Sequence, residues 1–159
     1  MRAKSEGGAM TGLEGWKPLR LVAADADDLS AMSAVLQDAV VKIGDFAHLP
    51  RQRRFAFVAN RFLWEASSGK SRGPFARVRT GCHFDDVTAV RQSNLRLGAK
   101  DAVVELLALR FTPGEDGTGA VTFDFAGGGA IRLDVESVNA SLRDLSAPWM
   151  TRMKPEHEG

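Results

Sequence analysis

The stretch from Val121 to Val135 reads VTFDFAGGGAIRLDV, and its alternation of apolar and polar residues decides the fold class. Apolar residues occupy every second position on both sides of three consecutive glycines. Successive side chains of a β-strand point to opposite faces, so this pattern predicts two strands with one buried and one solvated face. Glycines that lead into a strand are typical of a hairpin turn, whereas a phosphate-binding glycine loop leads into a helix. We therefore predict an antiparallel hairpin.

Two helices and several further strands are predicted around this hairpin. Asp25 is a helix N-cap residue, and the apolar residues at helical spacing after it predict a helix from Ala26 to Asp38. Ser137 is placed to cap a short C-terminal helix that carries, on one side, Val138, Leu142 and Leu145. The remaining strands are predicted at Leu19–Ala24, Val40–Leu49 with a bend at Gly44, Arg54–Glu65 and Val103–Phe111. Arg77–Phe84 and Val87–Arg91 are predicted to form one bent strand that is broken at Asp85-Asp86.

The order of these elements predicts an α+β fold. Strands that follow one another through turns, without helices between them, exclude a doubly wound parallel sheet. We expect a curved antiparallel sheet or partly closed barrel of about seven strands, with one N-terminal helix and a short C-terminal helix. The element order of the second half resembles the pleckstrin-homology-type barrel. Residues 1–15 are expected to be a disordered N-terminus, 16–150 a single α+β domain, and 151–159 a loose charged tail.

Length and composition exclude several classes of protein. A chain of 159 residues, 44% hydrophobic and 26% charged, is long enough for one core and is not typical of disordered, collagen-like or coiled-coil chains. Its net charge of +1 predicts no global attraction to nucleic acid or membrane. The single cysteine, Cys82, excludes an intramolecular disulfide. The sequence has no apolar run typical of a membrane span or secretory signal, so we expect a cytoplasmic protein.

Several stretches of the sequence carry a family resemblance. They are LQDAVV at residues 36–41 followed by IGD at 43–45, FAFVANRF at 55–62 followed by WE at 64–65, and FAGGGAIRL at 125–133. Together with Trp149 and the ending Pro155-Glu156-His157, they resemble an uncharacterised family of small alphaproteobacterial proteins, a domain of unknown function. The resemblance covers nearly the whole chain from about Trp16 and implies a single domain. It implies no activity, cofactor or catalytic residue.

The strongest local signal is the positive charge of residues 51–79. This segment has eight basic residues and one acid, Glu65, so its net charge of +7 leaves −6 for the rest of the chain. Guanidinium groups bind carboxylates and phosphates through paired donors. We therefore predict a non-enzymatic binding or adaptor module whose basic hairpin and loop dock an acidic protein or other anionic partner. The predicted partner-binding residues are Arg51, Arg53, Arg54, Arg61, Arg72, Arg77 and Arg79.

The same arginines allow a structural interpretation in which they bind no partner. They can be solvated edge residues that prevent sheets from pairing with one another, or they can pair with the protein's own surplus acids. Eight basic residues that are close in sequence do not have to share one face of the fold. The docking hypothesis therefore requires these side chains to be exposed together.

An RNA-binding alternative rests on residues 53–58, which read RRFAFV. This stretch resembles the signature of RNA-recognition folds, in which two aromatic residues one pleat apart stack on bases. Phe55 and Phe57 would stack and Arg53 would contact phosphate. However, Arg54 replaces the glycine of the signature, and Asn60 replaces its third aromatic residue. The competing interpretation places both phenylalanines in the core.

The last alternative is an unrecognised enzyme built around His48 and His83. Cys82 and His83 are neighbours in a strand and point to opposite faces, so they cannot act as nucleophile and base. Cys82 shares the parity of apolar neighbours, which predicts a small buried residue. A metal site formed by the two histidines with Asp85 or Asp86 is not favoured by their spacing. We therefore predict no catalytic residue, cofactor or metal.

Overall fold

The computed structural model describes residues 16–63 and 75–151, which form one α-helix and eleven strands. The helix, α1, comprises Ala26–Val35, and the strands are β1 (Arg20–Ala23), β2 (Val40–Lys42), β3 (Phe46–Leu49), β4 (Arg54–Phe62), β5 (Phe75–Phe84), β6 (Val87–Ser93), β7 (Val103–Pro113), β8 (Gly119–Phe125), β9 (Ala130–Val135), β10 (Ala140–Asp144) and β11 (Trp149–Thr151). The disorder predicted for residues 1–15, the loop predicted from Ala66 to Pro74 and the tail beyond residue 151 lie outside the described residues.

All eleven strands belong to one antiparallel sheet. Nine of them follow the order β1-β10-β5-β4-β2-β7-β8-β9-β6, while β3 pairs with β4 and β11 pairs with β5. The first and last strands of this path do not pair with each other in the described part of the chain, and the sheet is not closed into a barrel. The predicted antiparallel sheet with an N-terminal helix is therefore confirmed. The prediction of about seven strands was too low.

The hairpin at residues 121–135 is present as predicted. β8 pairs with β9, and Phe123 lies opposite Ile131. Gly127 and Gly128 in the turn have φ angles of 90° and 95°, a conformation that residues with a Cβ atom rarely adopt. The apolar residues of both strands are buried and the residues between them are partly or fully exposed. Local alternation was sufficient to predict this element.

The main hydrophobic core lies on one face of the sheet, under α1. The ring of Phe123 is 5.8 Å from that of Phe55 and 5.5 Å from that of Phe57, both in the edge-to-face arrangement that aromatic pairs favour. The helix contributes Leu29 and Met32 to the same core, and both are almost fully buried. Among the described residues, no helix covers the opposite face of β1, β10, β5 and β4.

Helix α1 begins as predicted and ends three residues earlier. The Asp25 carboxylate accepts a hydrogen bond from the backbone N–H of Asp28 at 2.8 Å and caps the helix. The helix ends at Val35 because Asp38 adopts a φ of 65° and donates its N–H to the carbonyl of Leu106 at 2.8 Å. No helix in the described part of the chain is long and apolar enough to cross a membrane.

The predicted C-terminal helix is wrong, because residues 140–144 form the strand β10. This strand lies between β1 and β5, where its backbone is paired on both sides. Leu142 is buried and its neighbour Arg143 is exposed, as the alternation of a strand requires. Ser137 caps no helix and instead donates a hydrogen bond to Asp86 at 3.2 Å. Without that helix, the element order no longer supports the resemblance to the pleckstrin-homology-type barrel.

The break predicted at Asp85-Asp86 is present, but the prediction that its two sides form one bent strand is wrong, because the structure places them at two distant positions of the sheet. β5 lies between β10 and β4, whereas β6 pairs with β9 at the far end of the path. Asp86 separates the two strands with a φ of 62°, and its carboxylate accepts a hydrogen bond from Asn139 at 3.0 Å. This turn carries the chain from one region of the sheet to another.

Candidate functional site

The arginines predicted to bind a partner are mostly not free at the surface. Three of them lie beside the protein's own acids: Arg53 is 2.6 Å from Glu136, Arg54 is 2.7 Å from Asp85, and Arg79 is 4.0 Å from Asp45. Arg51 is exposed and makes no ion pair with the described residues. Arg72 lies outside the described residues. The protein's own acids therefore offset the charges of three of the predicted binding arginines.

Arg61 does not belong to an exposed basic surface, because its side chain is fully buried. It continues the core-facing row of β4, and its Nε and Nη2 atoms donate to the two carboxylate oxygens of Asp144 at 2.9 Å. The same carboxylate accepts hydrogen bonds from the Thr80 hydroxyl and the Leu19 backbone N–H, both at 2.8 Å. Burial alone would raise the pKa of Asp144, but these hydrogen bonds hold it below its ordinary value.

Arg77 is likewise buried, with only 8% of its surface exposed. Its Nη1 atom donates to the carbonyl of Asn60 at 3.2 Å, and its guanidinium lies 6.0 Å from the ring centroid of Phe62. Arg61 and Arg77 therefore act within the sheet and are unavailable to a partner. Net charge along the sequence did not reveal this, since burial depends on which face of a strand each residue occupies.

The positions of four other residues bear on the RNA-binding and enzyme hypotheses. Phe55 and Phe57 are 3% and 2% exposed and belong to the core, so they cannot stack on bases. His48 lies opposite Phe55, and His83 lies opposite Ala56. Adjacent residues of β4 face opposite ways, so the two histidines are on opposite faces of the sheet. No group of metal-ligating side chains occurs among the described residues.

A basic trough lies on the outer face of β1, β10, β5 and β4, with a volume of about 540 Å³. Its lining includes three small residues: Ala56, Gly81 and Ser141. Its basic side chains are Arg20, Arg54, His83 and Arg143, and its fifteen described lining residues include no acid. We use the name basic trough for this surface.

Arg20 and Arg143 are the distinctive residues of the basic trough. They lie directly opposite each other in the β1–β10 pair, and both are exposed. Neither makes an ion pair with a described residue, whereas Arg54 shares its charge with Asp85. Like charges placed opposite each other across two strands destabilise the sheet by a few tenths of a kcal/mol or more.

The rim of the basic trough is apolar. Val22 is 73% exposed, Leu145 is 47% exposed and Leu49 is 37% exposed. These are three of the eight large hydrophobic residues that the structure shows as exposed in the described part of the chain. Apolar residues gathered beside unpaired arginines are typical of surfaces that bind amphipathic partners.

The sequence profile of a family described as protein of unknown function (DUF2948) matches residues 19–157. The chain belongs to the DUF2948 family. This match confirms the resemblance to a domain of unknown function, and it includes both strands that carry Arg20 and Arg143. The DUF2948 chain shows no significant match to a curated protein or to a solved structure.

Sequence reasoning missed two of the three trough arginines in this DUF2948 chain. Arg20 lies near the start of the described chain and Arg143 near its end, so no local charge count joins them. The weak signal was alternation: each follows a leucine that faces the core, which places the arginine on the outer face. For Arg143 this alternation was not used, because the segment was predicted to be a helix. Only the β1–β10 register places the two arginines opposite each other.

Proposed function

We propose that this protein is a non-enzymatic binding module that docks an acidic segment of a partner protein in the basic trough. The observation that carries the proposal is the exposed Arg20–Arg143 pair, which has no acid beside it among the described residues. Each guanidinium offers two parallel donors to a carboxylate, and such charge-assisted hydrogen bonds are stronger than neutral ones. A carboxylate between the two arginines would also relieve their mutual repulsion.

The apolar rim favours a peptide over a nucleic acid as the ligand. Val22, Leu49 and Leu145 can cover apolar side chains of a peptide, and acidic side chains of the same peptide can reach the arginines. Single-stranded nucleic acids are bound largely by stacking on aromatic residues. The described lining of the basic trough has no exposed Phe, Tyr or Trp. An acidic segment with interspersed apolar residues therefore fits this surface best.

A pair of matched double variants tests the proposal. The probe is a fluorescein-labelled peptide of alternating glutamate and valine, and its affinity is measured by fluorescence anisotropy. R20Q/R143Q removes both unpaired charges, and R91Q/R132Q removes two charges that also face each other, across β6 and β9, outside the trough. We expect about a tenfold or greater loss of affinity for the trough variant and at most about a twofold loss for the control.

Three results would contradict the proposal. Equal losses in both double variants would mean that the peptide responds only to net charge. Absence of peptide binding to the wild-type protein would remove the proposed activity. Tighter binding of a single-stranded oligouridine than of the peptide, lost in R20Q/R143Q, would identify the ligand as RNA. The peptide affinity is also measured at two salt concentrations. We expect it to be lower at the higher concentration, because salt screens exposed ion pairs.

A further inference from the structure

Strand β1 is an open edge of the sheet beside the basic trough. It is the first strand of the path and pairs only with β10 in the described part of the chain. Its residues Arg20 and Val22 line the trough, and Val22 is more exposed than any other large hydrophobic residue described. An edge strand presents a row of unpaired backbone groups to which an extended chain can add.

The hydrogen bonds of β1 show which backbone groups face the open edge. The carbonyl of Leu19 accepts the N–H of Asp144 at 3.0 Å and so faces β10. Backbone groups alternate in direction along a strand, so the N–H and C=O groups of Arg20 and Val22 point away from β10. The N–H of Ala24 points the same way, and it is already bonded to the carboxylate of an aspartate in α1 at 2.9 Å. The open edge therefore spans Arg20 and Val22.

We propose that the acidic segment binds as an added β-strand along β1. This inference rests on the proposed function and gives its binding mode. The segment exchanges backbone hydrogen bonds with Arg20 and Val22. Its side chains on the trough face then lie beside those of β1, an acidic one next to Arg20, with Arg143 on the strand beyond, and an apolar one next to Val22. Strand pairing thus places an acidic side chain of the segment beside Arg20 and an apolar one beside Val22.

Charge complementarity selects this occupant over a second copy of the chain. Two copies that paired through β1 would place two Arg20 and two Arg143 side chains on one continuous face. Like charges on neighbouring strands destabilise pairing, and none of the fifteen described lining residues is an acid that could offset them. An extended acidic segment removes the same repulsion instead of doubling it.

Hydrogen exchange tests the added strand directly. Amide exchange is followed by NMR in the full chain, with and without a saturating amount of the glutamate–valine peptide. We expect the Arg20 and Val22 amides to exchange about tenfold or more slowly in the complex, because each gains a hydrogen bond. The Leu21 amide faces β10 in both states and serves as the internal control.

A proline variant provides a second test that does not depend on exchange rates. Proline at residue 22 removes an N–H that β10 does not use, and proline is tolerated on the free side of edge strands. We expect V22P to lose about tenfold or more in peptide affinity. V22I keeps the N–H and a branched apolar side chain, so its affinity reports the side-chain contact alone, and we expect V22P to bind about fivefold or more weakly than V22I.

The outcomes separate this inference from the function on which it rests. Unchanged Arg20 and Val22 amides in the saturated complex would overturn the added strand, even if R20Q/R143Q loses affinity as proposed. Full peptide affinity of V22P would overturn it in the same way. If V22P does not fold, the exchange measurement on the wild-type chain decides. If the peptide does not bind at all, the proposed function and the added strand both fail.

Discussion

Arg61 and Arg20 lie in strands of the same sheet, yet one is fully buried and the other is exposed. The difference follows from strand parity, because Arg61 continues the core-facing row of β4 and Arg20 occupies the outer face of β1. Arg61 is satisfied by the Asp144 carboxylate, whereas Arg20 faces Arg143. Charge counted along the sequence treats these arginines alike. Of the three trough arginines, the sequence therefore predicted Arg54 as a binding residue and missed Arg20 and Arg143.

At the residue scale, the buried pair predicts a large loss of stability in D144A. Removal of the carboxylate leaves the Arg61 charge buried without its partner, and breaking such a pair costs about 3–5 kcal/mol. D124A removes the acid of an exposed pair with Arg110 and should cost less than about 1 kcal/mol. Urea unfolding of both variants measures the difference. Equal losses would mean that Asp144 contributes no more than a surface acid.

The lowered pKa of Asp144 adds a pH signature to the same comparison. Because this pKa is lower in the folded chain than in the unfolded chain, the carboxylate contributes its full stabilisation above the unfolded-state value of about 3.9. That contribution is lost as the pH falls through the lower folded-state pKa. Wild type should therefore lose more stability than D144A on acidification below about pH 4. Parallel acid dependence of the two proteins would contradict the assignment.

At the scale of elements, local sequence patterns predicted the start of α1 and one hairpin but not β10. The hairpin at residues 121–135 and the Asp25 cap need only neighbours in sequence, and both are confirmed. Val138, Leu142 and Leu145 are also compatible with helical spacing, so periodicity alone was ambiguous there. Residues 140–144 form a strand and not a helix because their backbone pairs with β1 on one side and β5 on the other. That pairing joins distant parts of the chain, which a local pattern cannot report.

Two leucine substitutions distinguish the strand from the predicted helix. In β10, Leu142 is 1% exposed, while Leu145 beyond it is 47% exposed. We expect L142A to lower the free energy of unfolding by about 2–5 kcal/mol and L145A by less than about 1 kcal/mol. A helix would place both leucines on one packed side and give similar losses. Chemical denaturation of the two variants gives the answer.

At the scale of the whole molecule, the fold builds its candidate site from strands that are far apart in sequence. The path β1-β10-β5-β4 places the first and last arginines of the basic trough on adjacent strands. The core, with α1, covers the other face of these strands and leaves the trough open. The antiparallel class followed from the sequence, whereas strand order and register did not. The basic trough depends on that order, so it became visible only in the assembled sheet.

The most direct test of the account follows the arginine side chains themselves. NMR signals of the arginine Nε–H groups are recorded while the glutamate–valine peptide is titrated into the full chain. We predict saturable shifts for Arg20 and Arg143, and no comparable shift for Arg110, whose guanidinium is already paired with Asp124. Equal shifts at all exposed arginines, or shifts that leave out Arg20 and Arg143, would contradict the claim that their unpaired charges bind the ligand.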